Sequence, residues 1–188
     1  MSKQKPLTWT QIKKELSGAS KQELLLLIRD LHKLNTDNKV FLSSRLKLGD
    51  PQTLMEPYRK RIDTELSPGK DAPNLNLRNA RKALNDFKKA SDDPKAIADL
   101  MLYYVEQGTL CALTYGDMYE GFYNSMESVY SDAIDFVTGT GDDELIEELR
   151  PRFEKLVYDT VHMGWGYHDM LDELYYNYYP LDETEELL

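Results

Sequence analysis

Apolar residues recur at steps of three and four along most of this chain. Leu24, Leu25, Ile28, Leu31 and Leu34 share one helical face. Ser20-Lys21-Gln22-Glu23 before them has the form of a capping box, in which the serine hydroxyl accepts a backbone N–H and the glutamate reaches back. Ile12 and Leu16 mark a shorter helix ahead of it, and Val40, Phe41 and Leu46, starting from Thr36 or Asp37, mark a third. Asp50-Pro51 sets a cap before a proline at the first helical position, and Pro57 either kinks that helix or restarts it. Leu77, Ala80, Leu84 and Phe87 form the stripe of the next helix. Behind Asp93-Pro94, a stripe of Ile97, Met101, Tyr104, Gly108, Cys111 and Tyr115 is joined on other faces by Leu100, Leu110 and Leu113. The pattern predicts a central helix buried nearly all round.

Phe122, Met126, Val129, Ala133 and Phe136 predict a further helix, ended by Thr138-Gly139-Thr140-Gly141. Asp142, Asp143 and Glu144 then put negative charge at a helix start, where the dipole favours it. The segment from Leu145 through Leu149, Leu156, Val157, Val161, Leu171 and Leu174 is interrupted by Gly164-Trp165-Gly166. No period-two runs joined by hairpin turns occur, so the predicted fold is all-α, a multihelical antiparallel bundle of seven to eight helices. Breakers cluster from Ser67-Pro68-Gly69 to Pro73-Asn74. They divide the chain into a small helical module at 1–66 and a larger bundle at 75–180, or mark a loop within one continuous domain. Gly108 and Gly164 fall on apolar stripes, where a missing side chain lets another helix approach. Asp182 to Leu188 is an acidic terminal stretch expected to be mobile.

Composition narrows the function classes. A hydrophobic share of 41% excludes a chain disordered throughout. No apolar run approaches the ~18–20 residues that cross a bilayer, and Met1 to Pro6 carries charge with no apolar segment behind it, unlike a secretory signal. The single cysteine forms no internal disulfide, which fits a reducing cytosol. The expectation is a cytoplasmic protein without a membrane partner. The net charge of −10 is unevenly spread: residues 1–90 carry 19 Lys/Arg against 10 Asp/Glu, and residues 91–188 carry 4 against 23. Such an asymmetry points to partner surfaces or to mutual attraction of the two halves.

Candidate chemistry is sparse. Arg59, Lys60 and Arg61, with Arg78, Arg81, Lys82, Lys88 and Lys89, form a candidate phosphate-contacting surface. The same residues fit a solvated helix face, or a face that meets the acidic half. Tyr115, Tyr119 and Tyr123 repeat at steps of four and read as core. Tyr175, Tyr176, Tyr178 and Tyr179 crowd too many rings into five residues for one buried face, which makes them a candidate interface. Asp159 with His162, and His168 with Asp172, have the spacing of ligand pairs on a helix, with Glu106, Glu120 and Glu127 as conceivable further ligands. A histidine packed beside Trp165 accounts for them equally. Cys111 sits among apolar neighbours as an inert thiol does, and Gly139-Thr140-Gly141 lacks the lysine of a phosphate loop. No cofactor and no catalytic residue is indicated.

Ala19 to Leu31, continuing to Phe41-Leu42-Ser43-Ser44-Arg45-Leu46, resembles the opening of a group of small uncharacterised bacterial helical proteins, over about the first quarter of the chain. That resemblance implies a bacterial cytoplasmic protein and carries no activity or site. Trp9 to Leu31 is also similar to small helix–turn–helix modules of the SAP type, which implies nucleic-acid binding, although the linker differs in length. The leading expectation is a non-enzymatic interaction or regulatory protein that binds a protein partner or itself. A nucleic-acid-binding protein and a metal-dependent helical enzyme are the alternatives.

Overall fold

A computed structural model describes residues 7–69 and 72–180. The terminal stretch Asp182–Leu188 lies outside the described residues. Among those described there are nine helices and no strand: α1 (Trp9–Leu16), α2 (Lys21–Leu34), α3 (Thr36–Arg45), α4 (Pro51–Leu66), α5 (Leu77–Ala90), α6 (Pro94–Tyr115), α7 (Glu120–Thr138), α8 (Asp143–Asp159) and α9 (Tyr167–Tyr178). The fold is all-α. The ninth helix arises because Gly164-Trp165-Gly166 is a turn, with Trp165 and Gly166 both at positive φ, and separates α8 from α9.

Helix starts follow local chemistry. Ser20 Oγ accepts the Glu23 N–H at 3.2 Å, while the Ser20 N–H donates to the Glu23 carboxylate at 2.7 Å, the reciprocal pair that the spacing predicts. Asp50 and Asp93 cap α4 and α6 by accepting the N–H of Thr53 and Ala96, each ahead of a proline at the first position. Gly116, at φ +90°, closes α6 in a backbone region that side chains disfavour. Pro57 sits inside α4, which neither breaks nor restarts there.

The long α6 is the axis. It packs against α4 and α5 on one side and against α7 and α8 on the other, and α9 closes over α7 and α8. Met55, Tyr58, Ile62 and Leu66 of α4, with Ala80, Ala83, Leu84 and Phe87 of α5, fill the first side. Phe122, Met126, Val129, Ile134, Phe153 and Leu171 fill the second. This core runs from Val40 to Tyr179 across the 67–76 loop. The buried tyrosines place their hydroxyls on partners: Tyr104 with Ser125 at 2.8 Å, Tyr167 with Thr109 at 3.0 Å, and Tyr58 donating to Asp37 at 2.8 Å.

Three expectations are corrected here. The last turns of α6 are not enclosed: Leu110 and Leu113 are about half exposed, because α8 flanks only one side of them. Gly164 approaches no other helix, since a Cβ there would meet nothing within 4 Å, whereas one on Gly108 would fall 2.1 Å from the Met126 sulfur of α7. Tyr115, Tyr119 and Tyr123 do not form one buried stripe: the break between α6 and α7 leaves Tyr115 and Tyr119 exposed, and only Tyr123 enters the core. Both tryptophans stay outside the core, Trp9 at 68% and Trp165 at 61% exposure.

Candidate interaction surface

The first two helices stand apart from this packing. Neither α1 nor α2 contains a buried residue, and among the described residues the only substantial neighbour of α2 is α3, the helix that follows it across Asn35. Asn38 joins the two: its side-chain amide donates to the Leu31 carbonyl at 2.7 Å, and its backbone N–H donates to the side chain of Asn35, which caps α3. α3 in turn holds to the body, with Val40 buried and α5 beside it. The arm is therefore anchored at one end by α3 and bare along α2.

What α2 presents is an apolar seam. Leu24, Leu27, Leu31 and Leu34 alternate steps of three and four, the spacing that brings side chains to one line on a helix meeting a second helix. Ile28 flanks the line. Leu25, Leu26, Leu27, Ile28, Leu31 and Leu34 are each between 43% and 72% exposed. Trp9 and Ile12 of α1 add to the same arm and are also exposed. The helix is well terminated by its capping box, yet nothing among the described residues covers its apolar side.

The candidate phosphate-contacting residues are scattered, and carboxylates hold most of them. Arg59 reaches Asp99 at 3.4 Å and lies over the Tyr103 ring at 4.9 Å; Lys60 pairs with Glu56. Arg61 and Lys82 share Asp86 at 2.7 and 2.6 Å, and their contacts hold its carboxyl below the usual range against the opposing effect of burial. Arg81 pairs with Asp132 of α7 and Lys88 lies over the Phe136 ring. Arg78 and Lys89 have no ion-pair partner among the described residues. Two helices, α4 and α5, carry these eight side chains, and they do not share one face, as α5 turns Arg81 and Lys88 toward α7 and Lys82 toward α4.

The tyrosine group divides. Tyr175 and Tyr179 are buried, stacked on each other at 5.1 Å, and Tyr176 and Tyr178 lie outside, each 41% exposed. The Tyr178 hydroxyl donates to Asp135 and that of Tyr175 accepts from Arg150 at 3.3 Å. Burial pushes the Tyr179 hydroxyl up to about 12. Of the candidate ligand pairs, Asp159 ends α8 and takes Lys155, while His162 falls in the turn beyond, so the two do not share a helical face. His168 Nδ1 lies 3.2 Å from the Val157 carbonyl at the open end of α8, and Asp172 is one turn further along α9. Among the described residues no three His, Cys, Asp or Glu side chains converge on a point.

A charged seam that sequence reasoning missed joins α4, α6 and α8. Arg152 makes a bidentate pair with Glu106 at 2.7 and 2.9 Å and also bonds Asp99, which receives Gln52 at 2.8 Å. Its residues lie 40 to 53 positions apart, so no local spacing signals it. Beside it, between α6 and α8, opens a groove of about 240 Å3 lined by Leu110, Leu113 and Leu156.

Among the described residues no helix is long and apolar enough to cross a membrane. Comparison with curated proteins and with solved structures gives no match. Residues 7–179 match a family of unknown function, DUF6155, a span that reaches well past the opening quarter and takes in the arm, the charged seam and the whole core. The chain belongs to that family.

Proposed function

We propose that the protein is a non-enzymatic interaction or regulatory component whose docking element is the α1–α2 arm. The observation that carries this reading is the leucine seam of α2, exposed along a helix with no buried residue. Monomeric proteins rarely leave contiguous apolar surface of more than a few hundred Å2 in water unless something binds it. The ion pairs already made by Arg59, Lys60, Arg61, Arg81 and Lys82 favour protein contact over phosphate contact, since those cations have partners within the chain. A reducing, cytoplasmic setting accords with the lone, buried Cys111.

The test is affinity capture from the native host with the full chain and with Leu27→Glu/Leu31→Glu side by side. A partner, or untagged copies of the chain itself, should be recovered by the first and lost by the second. Identical recovery by both overturns the assignment of the arm.

A further inference from the structure

The seam has a preferred occupant. We infer that a second copy of this chain covers it, the two α1–α2 arms packing together as a four-helix unit across a two-fold axis; the inference rests on the docking reading above and names its partner.

An isolated helix of 14 residues is marginal in water, because nucleation is costly and few hydrogen bonds follow it. α2 gains almost nothing from the body of its own chain, so its helix needs apolar contact from elsewhere. Leu24, Leu27, Leu31 and Leu34 supply the alternating spacing with which like helices interlock, and a two-fold axis lets one seam serve as its own complement. The area is sufficient. Seven large apolar side chains, Leu7, Trp9 and Ile12 with Leu27, Ile28, Leu31 and Leu34 of the seam, are each more than a third exposed. Together they amount to on the order of 700 Å2 per chain, close to the share of each partner in an interface of standard size. Charge selects the same geometry. Residues 7–34 carry five Lys/Arg and three Asp/Glu, close to balance, on a chain whose residues 91–188 carry 4 against 23. Joining two chains through their arms brings the nearly neutral parts together and leaves the two acidic halves at a distance, where screening over about 8–10 Å removes their repulsion.

The measurement is the mass of the purified full chain by sedimentation over a range of concentrations, alone and in three variants. The wild type should show twice the mass of the 21.8 kDa chain. Leu27→Glu/Leu31→Glu should show half that mass, with the thermal transition of the body retained because α2 contributes no core residue. Arg29→Glu, on the side of α2 away from the seam, and Leu113→Glu, in the α6–α8 groove, should remain dimeric. A monomeric wild type overturns the inference, as does a dimer that survives the double substitution or one that Arg29→Glu or Leu113→Glu dissolves equally. A monomer whose capture from the host still depends on Leu27 and Leu31 removes the second copy alone. Failure of that dependence as well removes the docking reading with it.

Discussion

At Gly108 a single missing methyl group decides how closely α6 and α7 pack. A Cβ would lie 2.1 Å from the Met126 sulfur and 3.1 Å from its Cγ, inside a fully buried contact, so the methionine cannot simply swing its tip away. Gly108→Leu should lower stability by about 1–3 kcal/mol through overpacking, measured by chemical denaturation. Met126→Ala in the same chain should return part of that loss, since the two sites share one space. Gly164→Ala provides the contrast: with open space around it, the change should stay within about 0.5 kcal/mol. Cys111, three residues along from Gly108, is fully buried, and burial pushes its thiol up. Under native conditions a thiol reagent should label it only as fast as the protein opens. Cys111→Ser should be worse than Cys111→Ala because the hydroxyl would lack a partner.

Among the elements, α8 depends on Arg152. Its guanidinium is mostly shielded and holds Glu106 and Asp99 of α6 together, despite the Pro151 that precedes it inside the helix. Arg152→Ala would leave two half-buried carboxylates facing each other. A loss of about 2–4 kcal/mol is expected, somewhat below that for a wholly buried pair because water still reaches the site. Arg152→Ala/Glu106→Gln should recover part of it in a denaturation series. Elements are also where sequence reading worked best and where it stopped. The caps at Ser20, Asp50 and Asp93 were legible because each is a contact over three residues. Pro57 read as a kink or a restart, yet α4 runs on through it, as α8 does through Pro151, because Tyr58, Ile62 and Leu66 in one and Phe153 and Leu156 in the other bury enough surface to outweigh a lost hydrogen bond. The apolar face of α2 was plain from spacing. That no described residue covers it was not, since periodicity reports which face is apolar and says nothing of what meets it.

For the whole molecule, the uneven charge of the two halves becomes a set of ties between them. Arg45 and Lys47 from α3 and its end meet Asp92 just before α6, Arg59 meets Asp99, and Arg81 meets Asp132. Counting charge by halves indicated attraction but not the pairs, which need the fold to bring positions 40 to 51 apart into contact. Asp92 takes three contacts: the Ser44 hydroxyl, then Lys47 and Arg45, hold its carboxyl far below the usual range. A lowered folded value means that its contribution is complete above the ordinary carboxylate range and is lost as pH falls toward the folded value. Thermal melting of the wild type should therefore weaken between about pH 5 and pH 2 more steeply than that of Asp92→Asn.

The placement of the aromatic rings gives the protein two separate optical channels. The indoles sit on the arm and in the turn before α9, both in water, while Tyr58, Tyr104, Tyr123, Tyr130 and Tyr167 are sealed in the core. Tryptophan emission in the free chain should be red-shifted and nearly indifferent to melting of the body, whereas tyrosine absorbance and near-ultraviolet dichroism should follow it. Emission from Trp9 should move to the blue only when the arm is covered. One cuvette can then report occupancy of the surface and integrity of the core as independent signals, and a Trp165→Phe chain would leave the first of them with a single source.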